Sequence, residues 1–250
     1  MPVSKLRKIR TDLQMVFQDS TSSLNPRKQV YDILAAPMLY HKIVKREHLD
    51  KEIDRLLDLV GLSKAMKYRY PHEFSGGQRQ RIGIAKALSV RPKVIVCDEP
   101  VSALDVSVQA QILNLLKELQ EELKLTYVFI AHGLGAVRYI SNRIAIMYLG
   151  RIVEIADTKE LFDNPVHPYT KALFDASPLP VPTLRDRERI VLKGEIPSAI
   201  SPPKGCRFHT RCPYALESCT TNDPMLLPVK PGSSHKVACP VLLARGENHD

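Results

Sequence analysis

Polar side chains follow three short apolar runs, each long enough to form one buried strand. The runs and the residues after them are 13–17 with Gln18, 94–97 with Asp98 and Glu99, and 127–131 with His132. Strands that alternate with helical segments favour a parallel sheet, and such sheets bind ligands where their strands end. A carboxylate at that edge can hold Mg²⁺, and a second one can activate a water molecule. The pattern predicts a metal-assisted reaction site at this edge.

Each of these residues also has a plain structural explanation. An isolated Asp-Glu pair is usually a helix cap with a solvated acid, a single histidine is more often structural than catalytic, and a glutamine alone carries little information. Because polar residues end all three predicted strands, a functional site is the better interpretation.

The segment "FSGGQ" (74–78) is a glycine-rich loop that leads into a helix. Ser75 and Gln78 fit a capping box, so a helix should begin at Ser75. The first N–H groups and the dipole of that helix would favour an anion, and Gly76 and Gly77 would let a phosphate approach the backbone. The alternative is an ordinary helix start that contains glycine.

Apolar residues recur at helical spacing in two stretches. One is 30–62, and the other lies between the apolar runs 94–97 and 127–131. Their apolar positions are Leu49, Ile53, Leu56, Leu57 and Val60, then Val108, Ile112, Leu116, Leu119 and Leu123. Two apolar runs around Gly150 predict a hairpin, followed by short helices near Glu160 and at 169–175. Prolines become frequent after Ser177, so we place a domain boundary there.

Composition and charge limit the classes of protein. Hydrophobic residues make up 44% of the chain, and 36 basic against 27 acidic residues give a net charge of +9. The basic residues are scattered, so no nucleic-acid partner is expected, whereas an anionic membrane surface or plain solubility would fit the charge. No apolar run reaches the roughly 18 residues that span a bilayer, and no signal peptide is recognisable. We expect a cytoplasmic protein whose membrane contact comes through a partner.

Four of the five cysteines lie in the last fifth of the chain: Cys206, Cys212, Cys219 and Cys239. The lack of a Cys-x-x-Cys pair argues against a zinc ribbon. Four thiolates still suit zinc or an iron–sulfur cluster, with His209 and His235 as further candidate ligands. Four idle thiols are the alternative. Cys97 lies inside a predicted strand, where we expect a small buried side chain.

Four motifs occur in the order found in ABC-transporter ATPases. They are "FQDS" (17–20), "FSGGQRQR" (74–81), "VIVCDEPVSALD" (94–105) and "IAH" (130–132), which resemble the Q-loop, the signature, Walker B with the D-loop, and the switch histidine. The segments 164–178, 192–219 and 235–240 look like parts of the ATP-binding subunits of oligopeptide, dipeptide and nickel importers.

The resemblance implies an α/β fold of the ABC-type P-loop ATPase, with a parallel sheet core and a helical subdomain at about 30–90. Residues 1–177 would be a partial ATPase domain, and 178–250 a Pro- and Cys-rich tail of the oligopeptide-transporter type. The implied cofactors are ATP and Mg²⁺. The implied partners are a second ATPase subunit, membrane permease subunits at the inner face of the cell membrane and, indirectly, a substrate-binding protein.

The resemblance also implies a role for each candidate residue. Asp98, through water, and Gln18 would hold Mg²⁺, and Glu99 would be the general base. Gln18 and His132 would sense the γ-phosphate and the metal. The residues that would contact ATP bound to a partner subunit are Ser75, Gly76, Gly77 and Gln78, with Asp105 of the D-loop as a further nucleotide contact. The stretch 30–62 would touch the membrane subunit.

The phosphate-binding loop of this family, Gly-x-x-x-x-Gly-Lys-Ser/Thr, does not occur in the 250 residues. Family members carry it several tens of residues before the Q-loop, so we expect a truncated copy without the N-terminal strands, the P-loop and the aromatic residue that stacks on adenine. The isolated chain should not bind or hydrolyse ATP. In two smaller departures, Gly133 replaces the usual Asp, which should loosen the loop around His132, and Phe74 replaces the usual Leu.

Two rival hypotheses stay open beside an importer ATPase subunit. The chain could be a non-transport ABC protein that acts on nucleic acid or the ribosome, which its charge permits and its tail (165–240) opposes. It could also be a non-functional remnant of a transport subunit. An in-frame P-loop encoded upstream of Met1 would decide against the remnant.

Overall fold

The computed structural model describes residues 3–18, 23–176 and 194–246. Its contacts divide the chain into two compact units, 1–140 and 141–250. The elements of the first unit are α1 (Val3–Asp12), β1 (Leu13–Val16), α2 (Val30–Tyr40), α3 (Leu49–Leu59), α4 (Gly76–Leu88), β2 (Val94–Asp98), α5 (Val106–Leu123), β3 (Thr126–Ile130) and α6 (Leu134–Ile140), with 3-10 turns at 46–48, 64–68 and 71–73. This unit therefore has the predicted α/β character.

The strands of the first unit form a parallel sheet in the order β1-β2-β3. Val16 pairs with Cys97 and Asp98 pairs with Ile130, so the three strands end at one edge of the sheet. The residues of β2, α4 and α5 that share a buried core are Ile95, Cys97, Ile82, Ile84, Ile112 and Leu116. The predicted parallel sheet and the common edge are both confirmed.

The other face of this sheet remains partly exposed, although the sequence predicted 94–97 and 127–131 as buried strands. On β3, Val128 and Ile130 are 49% and 47% exposed, and Met15 on β1 is 40% exposed. Successive side chains of a strand point to opposite faces, and α4 and α5 bury only one set. The prediction of full burial is wrong for β3 because a short apolar run does not reveal whether both faces are covered.

The stretch 30–62, predicted as helical throughout, consists of α2, a 3-10 turn and α3. The chain breaks after α2, where Lys42 adopts a φ of +55°. The apolar stripe of α3 is buried as predicted, and its members are Leu49, Ile53, Leu56 and Leu57. The predicted stop at Gly61 is confirmed: Gly61 has a φ of +68°, and the N–H of Leu62 donates to the carbonyl of Leu57 at 2.9 Å.

The amphipathic helix α5 connects β2 to β3 on the buried face of the sheet. Its predicted apolar positions Ile112, Leu116 and Leu119 are at most 1% exposed. α5 ends at Lys124, which adopts a left-handed conformation with a φ of +54°. Across the described parts of the chain, no helix combines the length and the apolar character needed to cross a membrane.

The second unit contains β4 (Arg143–Tyr148), β5 (Arg151–Asp157), α7 (Thr158–Asp163), α8 (Pro168–Ala176), α9 (Ser218–Thr221), β6 (Leu227–Pro228), β7 (Lys236–Val237) and α10 (Pro240–Gly246). The antiparallel hairpin β4–β5 turns at Gly150 (φ +77°), as predicted, and extends to a sheet in the order β4-β5-β7-β6. The short helices expected near Glu160 and at 169–175 are α7 and α8. The boundary expected near Ser177 falls outside the described residues and stays a prediction.

Glu154 of β5 joins three segments of the second unit. Its fully buried carboxylate accepts hydrogen bonds from the N–H groups of Val166 (2.7 Å) and His167 (3.0 Å) and from Nε2 of His235 (2.7 Å). The carboxylate therefore holds the loop before α8 and the chain before β7 to the hairpin. A buried carboxylate needs such donors, because desolvation alone would disfavour it strongly. His235, a candidate metal ligand from the sequence, serves here as a partner of Glu154.

Candidate functional site

Gln18 and His132 converge on the carboxylate of Glu99 at the edge where the parallel strands end. Nε2 of Gln18 donates to Oε2 of Glu99 at 3.0 Å, and Nε2 of His132 lies 2.5 Å from Oε1. Each of the three residues follows a different strand, so the parallel order of the sheet brings them together. The side chain of Glu99 is 14% exposed and that of His132 is 87% exposed. A shielded carboxylate thus meets an imidazole that solvent reaches.

Glu99 adopts the left-handed backbone conformation, with a φ of +46°. A long side chain rarely takes this conformation, and strained residues of this kind concentrate at functional sites. Backbone hydrogen bonds hold it from two sides. The N–H of Glu99 donates to the carbonyl of Ile130 at 2.9 Å, and the N–H of Ser102 donates to the carbonyl of Glu99 at 3.3 Å. The strand β3 and the turn after β2 together fix the place of the carboxylate.

Asp98 is the last residue of β2 and is half-buried. Together with Gln18 and Glu99 it supplies carboxylate and amide oxygens, the ligands that Mg²⁺ prefers. In the described parts of the chain, no group of three or more His, Cys, Asp or Glu side chains is arranged around one metal position. The donor set fits Mg²⁺, which keeps several waters and needs only one or two protein ligands beside phosphate oxygens.

The helix start predicted at Ser75 is confirmed. The N–H of Gln78 donates to Oγ of Ser75 at 3.4 Å, and the N–H of Ser75 donates to Oε1 of Gln78 at 3.0 Å. This reciprocal pair is the predicted capping box of α4. The first turn of a 13-residue helix carries N–H groups without intrahelical partners and the positive end of the dipole, so an anion is favoured there.

The helices α4 and α5 begin side by side. A Cβ atom on Gly76 would lie 3.3 Å from Cδ2 of Leu104, and one on Gly77 would lie 2.5 Å from Cγ1 of Val108. Packing against α5 therefore requires glycine at position 77, a reason that the sequence does not reveal. Asp105 is the exposed N-cap residue of α5 and follows Leu104 directly. Two helix N-termini thus meet: that of α4 favours a negatively charged ligand, whereas that of α5 already carries the carboxylate of Asp105.

Glycine at position 133 does not remove the contact between His132 and Glu99. The carbonyl of Gly133 accepts from the N–H of Val137 at 3.2 Å and so opens α6. A Cβ atom on Gly133 would meet no other atom within 4 Å. The position has room for a side chain, and the loosening expected there stays a prediction.

The four tail cysteines line one cavity of about 60 Å³, together with His167, Phe208 and His209. Backbone contacts build its wall: the N–H of Cys206 donates to the carbonyl of Cys219 at 2.9 Å. A Cβ atom on Gly205 (φ +67°) would lie 2.5 Å from that carbonyl oxygen. Burial raises the pKa of Cys212 to about 11 and raises the pKa of Cys206 and of Cys239. These three thiols are therefore protonated at neutral pH.

The two histidines at this cavity differ in the ring nitrogen that carries the proton. Nδ1 of His167 accepts from the N–H of Tyr169 at 3.1 Å, so the neutral ring is protonated on Nε2. Nδ1 of His209 lies 2.8 Å from the carbonyl oxygen of Cys206, so this nitrogen donates, and in the neutral ring Nε2 carries the lone pair. His209 retains the ligand capacity predicted from the sequence. His167, which sequence reasoning did not single out, is a buried structural neighbour.

Comparison with known proteins agrees with the geometry. The family model for the ABC transporter matches residues 2–102, and the model for the oligopeptide/dipeptide transporter C-terminal region matches residues 153–219. The chain is 54% identical over 239 residues to the oligopeptide transport ATP-binding protein AppF of Bacillus subtilis (strain 168), covering 94% of this chain and 71% of that protein. The chain belongs to this family of ABC-transporter ATP-binding subunits.

Other members of the family show a similar extent of match. The chain is 48% identical over 241 residues to the oligopeptide transport ATP-binding protein OppF of Escherichia coli (strain K12), covering 96% of this chain and 71% of that protein. It is 48% identical over 222 residues to the di/tripeptide transport ATP-binding protein DppF of Pseudomonas aeruginosa (strain UCBPP-PA14), covering 88% and 68%. The chain thus spans about 70% of the length of these relatives.

Solved structures confirm the ABC ATPase fold. The cbiO1 protein from Clostridium perfringens, part of the ABC transporter complex cbiONQ, matches with a TM-score of 0.59 and 29% identity over 65% of this chain and 64% of that one. The ATP-binding cassette MJ0796, solved as a dimer in a post-hydrolysis state with ADP and Pi, matches with a TM-score of 0.55 and 29% identity over 63% of this chain and 68% of that one.

Because His167 is buried beside the thiol cavity, we predict that the free energy of unfolding depends on pH. Burial lowers the pKa of His167 from 6.5 to about 4. The unfolded chain takes up a proton as the pH falls below 6.5, while the folded chain keeps the ring neutral to about pH 4. The stabilisation present above pH 6.5 is therefore lost between pH 6.5 and 4, by up to about 3 kcal/mol.

Urea unfolding at pH 7 and pH 4.5 measures this difference. His167→Asn keeps an acceptor for the N–H of Tyr169 but cannot titrate, so its unfolding free energy should depend less on pH. The exposed His72, replaced by Asn, is the matched control and should behave like the parent chain. An unchanged pH dependence in His167→Asn would contradict the prediction.

Proposed function

We propose that this chain is the ATP-binding and ATP-hydrolysing subunit of an ABC importer for peptides or nickel, and that it couples hydrolysis to transport. The observation that carries the proposal is the convergence of Gln18 and His132 on Glu99 at the sheet edge. The names of AppF and OppF, both oligopeptide transport ATP-binding proteins, support a peptide substrate.

Each residue at the sheet edge has its own role in the reaction. Glu99 accepts a proton from the attacking water, because its shielded carboxylate is the one that Gln18 and His132 hold in place at the strand ends. Gln18 and His132 orient this carboxylate through its two oxygens and report on the γ-phosphate. Asp98, through water, and Gln18 hold Mg²⁺, which neutralises phosphate charge when it is bound. The general base of such a site is usually worth about 10²–10⁴ in rate.

The start of α4 acts on a nucleotide held by another chain. Ser75 and Gln78 cap the helix, Gly76 and Gly77 leave its backbone accessible, and Asp105 begins the neighbouring helix. The dipole of one helix contributes only about 0.3–1 kcal/mol toward an anion, which is too little to bind ATP alone. In the proposed dimer, the P-loop of a partner subunit binds the phosphates that the start of α4 contacts.

The proposed partners follow from a site in which one subunit supplies the start of α4 and another supplies the P-loop. We propose a head-to-tail dimer with a second ATPase subunit, bound to membrane permease subunits at the cytoplasmic face of the membrane. The helical stretch 30–62 contacts the permease, and a substrate-binding protein acts indirectly. A polypeptide with these 250 residues should not bind or hydrolyse ATP by itself.

A mixed dimer tests the proposal. This chain is combined with a full-length member of the family that carries a P-loop, and the ATPase rate is measured. Ser75→Arg should abolish the rate of the shared site, because the long side chain blocks closure on the partner's ATP. Glu99→Gln should change that rate far less, because Glu99 lies with this chain's own strand ends.

The exposed Ser63, replaced by Arg, is the control for an added charge and should leave the rate unchanged. The assignment is wrong if Glu99→Gln abolishes turnover and Ser75→Arg does not.

We also propose that the tail cysteines hold zinc or an iron–sulfur cluster. The supporting observation is that Cys206, Cys212, Cys219 and Cys239 line one cavity. As placed, the described thiols form no three-ligand group, so binding requires them to turn toward the cavity and lose their protons. Nε2 of His209 is a further donor.

Anaerobic purification followed by metal analysis measures this site. Zinc or iron should be present at a level that falls when Cys206 or Cys212 is replaced by Ser. Cys97, buried in β2 outside the cavity, is replaced by Ala as the control and should keep the metal. Neither metal above background would show that the four thiols are idle.

A further inference from the structure

The buried carboxylate of Glu154 bonds to two of the segments that form the thiol cavity. Its oxygens accept from the N–H groups of Val166 at 2.7 Å and His167 at 3.0 Å, and His167 lines the cavity. Nε2 of His235 donates to the same carboxylate at 2.7 Å. His235 lies directly before β7, and Cys239, which also lines the cavity, follows that strand closely. One side chain therefore connects the two segments that bring His167 and Cys239 to the cavity.

The β7 segment, which we define as residues 235–241, depends on a very short strand. β7 is two residues long and pairs with β5 on one side and with β6 on the other. A ladder of two residues is marginal by itself. Water does not compete for the bond between His235 and Glu154, because both residues are buried. We therefore expect this bond to fix the place of the β7 segment.

The other three cysteines lie on a separate loop, residues 206–219, which has hydrogen bonds of its own. The N–H of Cys206 donates to the carbonyl of Cys219 at 2.9 Å, and the N–H of His209 donates to the carbonyl of Cys206 at 3.0 Å. These bonds join one part of the loop to another. We therefore expect Cys206 and Cys219 to keep their places when Glu154 is replaced.

We propose that Glu154 is a positioning residue for the thiol cavity and that it holds Cys239 at the cavity beside the loop 206–219. Desolvation offsets much of the attraction between buried charges, so such a pair adds little net stability, whereas its hydrogen bonds are satisfied in one arrangement of the bonded segments. A zinc ion on the four thiols would need each sulfur at about 2.3 Å, so a displaced Cys239 would cost one ligand. This consequence rests on the metal site proposed above, but the placement of Cys239 does not.

Alkylation of the metal-free 250-residue chain measures the placement of Cys239. Iodoacetamide is the probe, and mass spectrometry gives the rate at each cysteine. In Glu154→Gln, Cys239 should react about tenfold faster or more, because the loss of hydrogen bonds to a charged group frees the β7 segment. Cys206 and Cys219 should keep the parent rate. A carboxylate that only stabilised the unit would speed all tail cysteines alike. That result, or an unchanged Cys239, overturns the proposal.

A second variant separates the position of Cys239 from the charge beside it. Burial raises the pKa of Cys239, and the charge of Glu154 adds to this shift, so Glu154→Gln also favours the reactive thiolate. His235→Phe keeps that charge and the shape of a ring but removes the N–H donor. Cys239 should therefore react faster in His235→Phe as well. An effect confined to Glu154→Gln would be electrostatic and would overturn the positioning role.

Glu160→Gln is the matched control. The carboxylate of Glu160 lies 3.5 Å from Nδ1 of His235, and this nitrogen has no hydrogen-bond partner in the part of the chain that the structure describes. The substitution removes a carboxylate charge from the same neighbourhood without breaking a bond to the β7 segment. All four tail cysteines should react at the parent rate. A faster Cys239 in Glu160→Gln would assign the effect to lost charge near His235 and count against the proposal.

Zinc titration of the metal-free chain under anaerobic conditions tests the consequence for a metal. The affinity for Zn²⁺ should fall about 10–100-fold in Glu154→Gln and in His235→Phe, as is usual when a residue that orients a metal ligand is lost. Parent affinity in both variants overturns the role of Glu154 in ligand placement. If the parent chain binds no zinc, the proposed zinc site fails, whereas alkylation still decides whether Glu154 places Cys239.

Discussion

The parallel register of three strands is the constraint on which the candidate site depends. β1, β2 and β3 end together because Val16 pairs with Cys97 and Asp98 pairs with Ile130. Residues that are far apart in sequence thereby reach one carboxylate, Glu99. A slip of one strand by one residue would move every side chain of that strand to the other face of the sheet. The buried contacts of Ile95 and Cys97 oppose such a slip, so the core of the unit also determines the geometry of the site.

Much of the site could be predicted because its signals are local. A capping box at Ser75, polar residues at strand ends and the stop at Gly61 depend on neighbours within a few positions. The exposed face of β3 could not be predicted, because burial depends on what packs there and a run of apolar residues does not say so. The same limit explains Gly77, which packs against Val108 of another helix.

The second unit shows how a tail with few apolar residues is held in place. Its strands β6 and β7 have two residues each, too short to fix themselves by pairing alone. The buried carboxylate of Glu154 stabilises this region by accepting hydrogen bonds from two backbone N–H groups and from His235. Because Cys239 follows β7 closely, the same carboxylate helps to place the thiol cavity. The cysteines and His235 stand out in the sequence, but no local pattern pairs His235 with an acid in another segment.

The most direct test is whether these residues supply the whole catalytic site except the P-loop, which binds the phosphates. The 250 residues are joined behind the P-loop-bearing N-terminal segment of a full-length family member, and the ATPase rate of the chimaera is measured with Glu99 and with Glu99→Gln. We predict ATP turnover that falls by about 10²–10⁴ on the substitution, while ATP binding persists. A chimaera that binds ATP without turning it over, or whose turnover is indifferent to Glu99→Gln, would contradict the assignment of Glu99 as the base.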